Sequence, residues 1–471
     1  MRKLLLLSFL QFAVSACISQ TAAGDWSGIA TAGGARLRMV FHIKQADKTY
    51  SATFDSPDQQ AFGLACGAVF MRHDTLHIAI PMIGGVYAGK FNGPDSIAGT
   101  LVQNGYVVLL GLHRISPSAA VKPQTPLPPF PYYREETGYE NKQQHIHLAG
   151  EFTRPKEPGR YPVLLLITGS GPQDRDESIG LHKPFLVIAD YLARHGIATL
   201  RVDDRQNGGS TGNFRQSTSL DFATDVEAGL DYLATRNDID PARIGLLGHS
   251  EGGMIAALVA AHRRDVSFAV LLAAPVTGGM QTMYYQAVTK PLNNAGLTQP
   301  AIDAYGQLYN SMLRIALDSS AARDVPAYSA LTYLSWKNRQ PDSILRQLVH
   351  VPDDEAIQGN INGFSDLKRP WWRETLTHDV AADLSKLTIP VLCLHGERDE
   401  QVDPVSSAAL ERKLFSENGN KKSEVRVVPG VNHLFQHCTQ CGSIAEYLAL
   451  DETFDRTTLE YIGSWITGIT R

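Results

Sequence analysis

The chain has 471 residues, of which 43% are apolar and 19% charged, with a formal charge of −5. That length exceeds what one core usually holds and points to two domains, and the composition excludes a disordered chain. A mild negative charge without a basic stripe excludes nucleic acid as a partner.

Arg2 and Lys3 precede an apolar run, Leu4 to Val14, that is too short to span a bilayer comfortably. Val14-Ser15-Ala16 closes it with small residues, and Cys17 follows. Residues 1–23 read as a signal peptide and N-terminal tail. The protein is therefore expected to be exported, to the periplasm or beyond. Val-Ser-Ala-Cys also has the form of a bacterial lipobox, so lipid anchoring through Cys17 stays open beside ordinary cleavage. Such an anchor is the sole membrane contact expected.

From residue 24 to 114 the pattern has period two. Leu37, Met39, Phe41 and Ile43 alternate with Arg38, Val40, His42 and Lys44. Glycine and Asp/Asn/Pro clusters separate the runs, as in a small antiparallel barrel or sandwich. His42, His73 and His77 read as structural or surface positions. Residues 115–140 read as a linker, because Pro117, Pro123, Pro126, Pro128, Pro129 and Pro131 favour an extended backbone.

From 141 to 471 the rhythm is strand, helix, strand. Val163 to Ile167 is bare of polar residues, as a strand buried on both faces would be. Ile197 to Val202, Ile244 to Leu247, Phe268 to Ala273, Ile389 to Leu394 and Val425 to Val428 repeat it, with helical spacing between them. A mostly parallel sheet with helices on both faces follows. The rhythm stops at about 276–387, where helical patterning and the pair Trp371-Trp372 indicate an inserted helical cap.

Gly248-His249-Ser250-Glu251-Gly252 matches G-x-S-x-G between a strand and a helix, the setting a nucleophile elbow requires. A serine hydroxyl needs a base to take its proton and an acid to orient that base. His433 follows the strand Val425 to Val428, and Asp399 follows Ile389 to Leu394. Both fall at the strand edge where Ser250 falls, in the order Ser250, Asp399, His433. Asp399 competes locally with Glu397, Glu400 and Asp403. Backbone donors for an oxyanion are expected at Glu251, directly after the serine, and at Ser170 in the loop Thr168-Gly169-Ser170-Gly171-Pro172, with Gly171 second.

Five strings carry a family resemblance: Gly169 to Asp176, Asp204 to Ser210, the elbow, His395-Gly396-Glu397-Arg398-Asp399, and Asn432-His433. Together they span about 160 to 470. The chain resembles the α/β-hydrolase superfamily, and within it bacterial serine esterases that join a small N-terminal β domain to the hydrolase core. It departs from them at Thr168, where many relatives have histidine, and at Gln206-Asn207, where Arg-Gly is usual. Asp174, Arg175 and Asp176 are expected to form loop salt bridges.

The resemblance implies an α/β hydrolase with a helical cap, preceded by a small all-β domain. The expected activity is hydrolysis of short-chain acyl or small aromatic esters through an acyl-enzyme, with a small-molecule ester as partner and no cofactor or metal. Two rivals stay open: a serine aminopeptidase or oligopeptidase on the same fold, and a surface binding module with an incidental hydrolase core. The C-x-x-C at Cys438 and Cys441 fits a local disulfide or two thiols better than zinc, since only His437 is adjacent as a further ligand. Oligomeric state is not encoded in any of these features.

Overall fold

The chain divides between Ala120 and Val121 into two units. A computed structural model describes residues 21–470, apart from 33–34, 48, 57–60, 104–105, 116–120, 318–324, 365–366, 368 and 443. The expectations for the signal peptide and for Cys17 lie outside the described residues.

Among the described residues, alternation in the first unit produces ten strands: β1 (Gly24–Ala32), β2 (Ala35–Ala46), β3 (Thr49–Ser56), β4 (Ala61–Ala65), β5 (Val69–Arg72), β6 (Thr75–Ile80), β7 (Gly85–Phe91), β8 (Ser96–Gln103), β9 (Tyr106–Leu109) and β10 (Leu112–Arg114). All pairings are antiparallel. The short β10 closes the ring by pairing β8 through Leu112 with Ile97 and β1 through Arg114 with Trp26. The β domain is thus a barrel rather than a sandwich. The apolar half of each alternation, including Trp26, Phe41, Phe54, Ile78, Tyr87 and Leu112, fills its interior. His42 bridges Asp25 and Asp55 at 2.9 Å each, and His77 stacks on Phe70.

In the second unit the proline-rich stretch is shorter than the 115–140 expected. From Tyr132 the chain is already strand β11 (Tyr132–Asn141), paired antiparallel with β12 (Ile146–Pro155). The prolines end at Pro131, and the residues after it can donate to a ladder. The hydrolase-like unit therefore begins well before 141. β13 (Tyr161–Ile167), β14 (Ala198–Val202), β15 (Ile239–His249), β16 (Phe268–Leu272), β17 (Val391–Gly396) and β18 (Glu424–Val428) complete an eight-stranded sheet in the order β11-β12-β14-β13-β15-β16-β17-β18. The pairings from β14 to β18 are all parallel.

Three helices follow the early strands: α1 (Pro184–Arg194), α2 (Ser219–Ala234) and α3 (Glu251–His262). A capping box between Thr218 and Asp221 starts α2. One face of the sheet is covered by α2 and α3, through Val226, Leu230 and Ile255. The other is covered by α1 and the helix Arg456–Ile469, through Ile188, Leu192, Leu459 and Ile462.

Between β16 and β17 lies a set of helices with apolar clusters of their own, one of them around Val288, Ile302, Tyr309 and Leu313. The expected cap limit of 387 is too late. Val380, Leu384 and Leu387 pack into the main core beneath the sheet, so the cap proper ends near Thr377. Cys438 and Cys441 are joined as a disulfide.

Candidate active site

Ser250 sits between β15 and α3 with φ 53° and ψ −120°, a conformation that strains any side-chain-bearing residue. It is held there by its amide, which donates to the Leu272 carbonyl at 2.7 Å. The flanking glycines are obligatory. A Cβ on Gly248 would lie 2.0 Å from the Gly252 carbonyl oxygen, and one on Gly252 would lie 2.1 Å from that of Ile167. The turn lifts Ser250 into partial exposure while His249 and Glu251 on either side are buried.

His433 lies past the end of β18 and Asp399 past the end of β17. His433 Nδ1 stands 2.7 Å from Asp399 Oδ2. Both side chains are buried, and the amides of Gln401 and Val402 donate to the other Asp399 oxygen at 2.7 and 2.9 Å. Asp399 is thus the acid that reaches His433. Glu397 accepts from the Gly430 amide, and Asp403 caps the helix Pro404–Glu417.

The loop after β13 runs beside the elbow, close enough that a Cβ on Gly169 would lie 3.3 Å from Ser250 Cβ. Two acids, the half-buried Asp204 and the buried Glu177, hold successive residues of this loop. Thr168 Oγ1 donates to Asp204 Oδ1 at 2.8 Å, and the Gly169 amide donates to Glu177 Oε1 at 2.7 Å. Burial, with Glu251 and Glu177 nearby, pushes Asp204 well above the usual carboxylate range against hydrogen bonds from Gln173 and Thr168. A cavity of about 50 Å³ lies against the loop, lined among others by Thr168, Asp204, Arg205 and Glu251.

The side chains of Glu177, His249, Asp204 and Glu251 were not assigned roles from the sequence. Two of them stood in view inside the elbow string, but nothing local marks which distant group a buried acid will meet. Of the expected loop salt bridges, Arg175 pairs with Asp203 at 2.8 Å and Asp176 with Lys183 at 2.9 Å. Asp174 instead accepts turn hydrogen bonds from the Asp176 and Ser178 amides and the Ser178 hydroxyl. Among the described residues, His437, Glu452 and Asp455 group three ligand-type atoms, but Asp455 spends its oxygens capping the helix Arg456–Ile469 and His437 is exposed.

The sheet places its functional loops after its third, fifth, seventh and eighth strands in chain order, with the first two strands as an antiparallel edge. A family model described as serine aminopeptidase, S33, matches residues 183–302. The eight-stranded sheet with its flanking helices has the α/β-hydrolase fold. Among relatives of this α/β hydrolase, esterase EstD of Thermotoga maritima is 25% identical over 337 residues, 71% of this chain and 69% of that protein. A putative carboxymethylenebutenolidase of Synechocystis is 24% identical over 126 residues, 24% of this chain and 48% of that protein. Among solved structures, Est1E of Butyrivibrio proteoclasticus with bound ferulic acid is 19% identical, covering 70% of this chain and 96% of its own at a TM-score of 0.39. The Pyrococcus furiosus esterase Pf2001 is 12% identical, covering 72% and 92% at a TM-score of 0.41.

Proposed function

We propose that this hydrolase is a serine carboxylesterase acting on short-chain acyl or small aromatic esters, with Ser250, His433 and Asp399 as its triad. The observation that carries the reading is the His433–Asp399 hydrogen bond of 2.7 Å, formed at the strand edge that also holds the strained Ser250. Ser250 Oγ attacks the ester carbonyl carbon and passes its proton to His433 Nε2. His433 returns that proton to the departing alcohol oxygen as the C–O bond breaks, leaving an acyl-enzyme. Water, deprotonated by His433, then releases the acid and restores Ser250. Asp399 holds the imidazole tautomer throughout, and the amides of Glu251 and Ser170 receive the oxyanion.

The relationship to esterase EstD supports ester substrates. The family model named for a serine aminopeptidase supports a second reading, amide cleavage by the same groups. Export is supported by the apolar N-terminal run and by the Cys438–Cys441 disulfide, which persists in an oxidising compartment.

The test is turnover of a p-nitrophenyl ester series beside aminoacyl-p-nitroanilides, using the wild type and Ser250→Ala. Ester hydrolysis that vanishes in the variant is expected. Anilide turnover exceeding ester turnover would favour the peptidase reading, and activity surviving in Ser250→Ala would remove the serine from the mechanism.

A further inference from the structure

The side chain of Glu251 has partners of its own, distinct from its amide. It is buried, with 4% of its surface exposed, and it receives donors from two separate segments. Ser219 Oγ, at the start of α2, donates to Oε1 at 2.6 Å. Trp371 Nε1, in the cap helix Pro370–Thr377, donates to the same oxygen at 2.7 Å. The cap helix is itself seated firmly: a Cβ on Gly279 would lie 2.2 Å from the Thr375 carbonyl oxygen.

We infer that Glu251 is a positioning residue whose side chain ties one oxyanion donor, its own amide, to α2 through Ser219 and to the cap through Trp371. The inference rests on the serine-esterase reading above. In this arrangement Oε1 is the carbonyl oxygen, accepting from Ser219 and from the indole, which can only donate. Oε2 carries the proton of the neutral form. A neutral acid is the form that suits the place. Burial disfavours the charged form, and Glu374 on the cap helix and Asp204 after β14 are acids facing the same site. A carboxylate there would also repel the oxyanion that its own amide is meant to receive.

Glutamine reproduces the neutral acid atom for atom, with an acceptor oxygen and a donor in place of the O–H. Alanine removes both. The experiment compares Glu251→Gln, Glu251→Ala and Trp371→Phe with the wild type on p-nitrophenyl acetate, together with binding of phenylboronic acid, whose tetrahedral serine adduct occupies the oxyanion site. We expect Glu251→Ala to lose about tenfold or more in kcat and a like factor in boronate affinity, with KM within about twofold. Glu251→Gln is expected to stay within about threefold of the wild type, and Trp371→Phe to fall between the two.

Unchanged kcat in Glu251→Ala, or a Glu251→Gln as damaged as the alanine variant, overturns the inference. Should Glu251→Ala fail to fold, a Trp371→Phe variant with wild-type kcat and boronate affinity does the same. Ser250→Ala run in parallel separates the two levels. If it retains turnover, the esterase reading itself has failed. If it is inactive while Glu251→Ala is normal, only the positioning role is lost.

Discussion

His249 Nδ1 lies 2.9 Å from Glu177 Oε1, the oxygen that also receives the Gly169 amide, while His249 Nε2 lies 3.0 Å from the carbonyl oxygen of His433. A carbonyl can only accept, so Nε2 carries a hydrogen. Nδ1 and Glu177 Oε1 then share one proton across 2.9 Å, and its residence on the histidine makes the pair a buried salt bridge. Burial pulls the His249 pKa down, but Glu177 outweighs it and the net shift is upward. One pair thus joins the loop after β13, the elbow and the segment bearing His433.

Breaking it leaves an uncompensated buried charge, which costs more than the pair itself contributes. Glu177→Ala is expected to lose about 3–5 kcal/mol of stability in urea unfolding. His249→Ala and the double variant complete the cycle, and a coupling energy near zero would show that the two groups act independently.

Asp399→Asn leaves the hydrogen-bonding shape of the acid almost intact but reverses what it offers to His433 Nδ1. The imidazole then favours the tautomer that cannot accept the Ser250 proton. We expect kcat to drop by about 10⁴ with the melting temperature little changed. Loss of less than about tenfold would assign the orienting role elsewhere.

The elbow tolerates no side chain at its glycines. Gly252→Ala drives a methyl against the Ile167 carbonyl, a backbone atom that cannot swing aside. The cost is expected at about 1–3 kcal/mol or more, with activity falling further than stability because Ser250 is displaced. A variant with full esterase activity would mean that the turn relaxes freely.

In the barrel, the hydrogen bond to Asp55, opposed by burial and aided by Asp25, raises the His42 pKa to about 9. A histidine whose folded pKa is raised contributes stability that is complete below its unfolded pKa of about 6.5 and is lost as pH rises through the folded value. Wild type and His42→Gln should therefore differ most in melting temperature below pH 6.5 and converge as the pH passes about 9. A gap that stays constant across that range would assign the effect to packing.

The parts of the site written in short, local patterns were legible in the sequence. The strand into Gly248 and the helix out of Gly252 framed Ser250, and the strands before Asp399 and His433 put those residues at the same edge. What escaped depends on distant pairing. Barrel and sandwich differ through β10, three residues long, which pairs Leu112 with Ile97 and Arg114 with Trp26. β11 hid behind the prolines because its middle, Arg134 to Gly138, is polar or small and breaks the apolar alternation that marks a half-buried strand. The short helix Val380–Leu384 reads like a cap helix, and only its packing against the main core assigns it elsewhere. Glu177 and Trp371 gave no local signal, since each takes its meaning from a partner in another segment.

The cap leaves the sheet after β16 and returns to it at β17, and these two strands are direct neighbours, with Leu272 beside Leu394. Its two ends are therefore fixed by a pairing that does not depend on what lies between them. Such an insertion can be lengthened, shortened or exchanged without disturbing the spacing between Ser250, Asp399 and His433. In the esterase proposed above, substrate range and bond-breaking chemistry would then be carried by separable stretches of chain, free to diversify at different rates. The hydrogen bond from Trp371 to Glu251 crosses that division, and a transplanted cap would need to supply a donor of its own there.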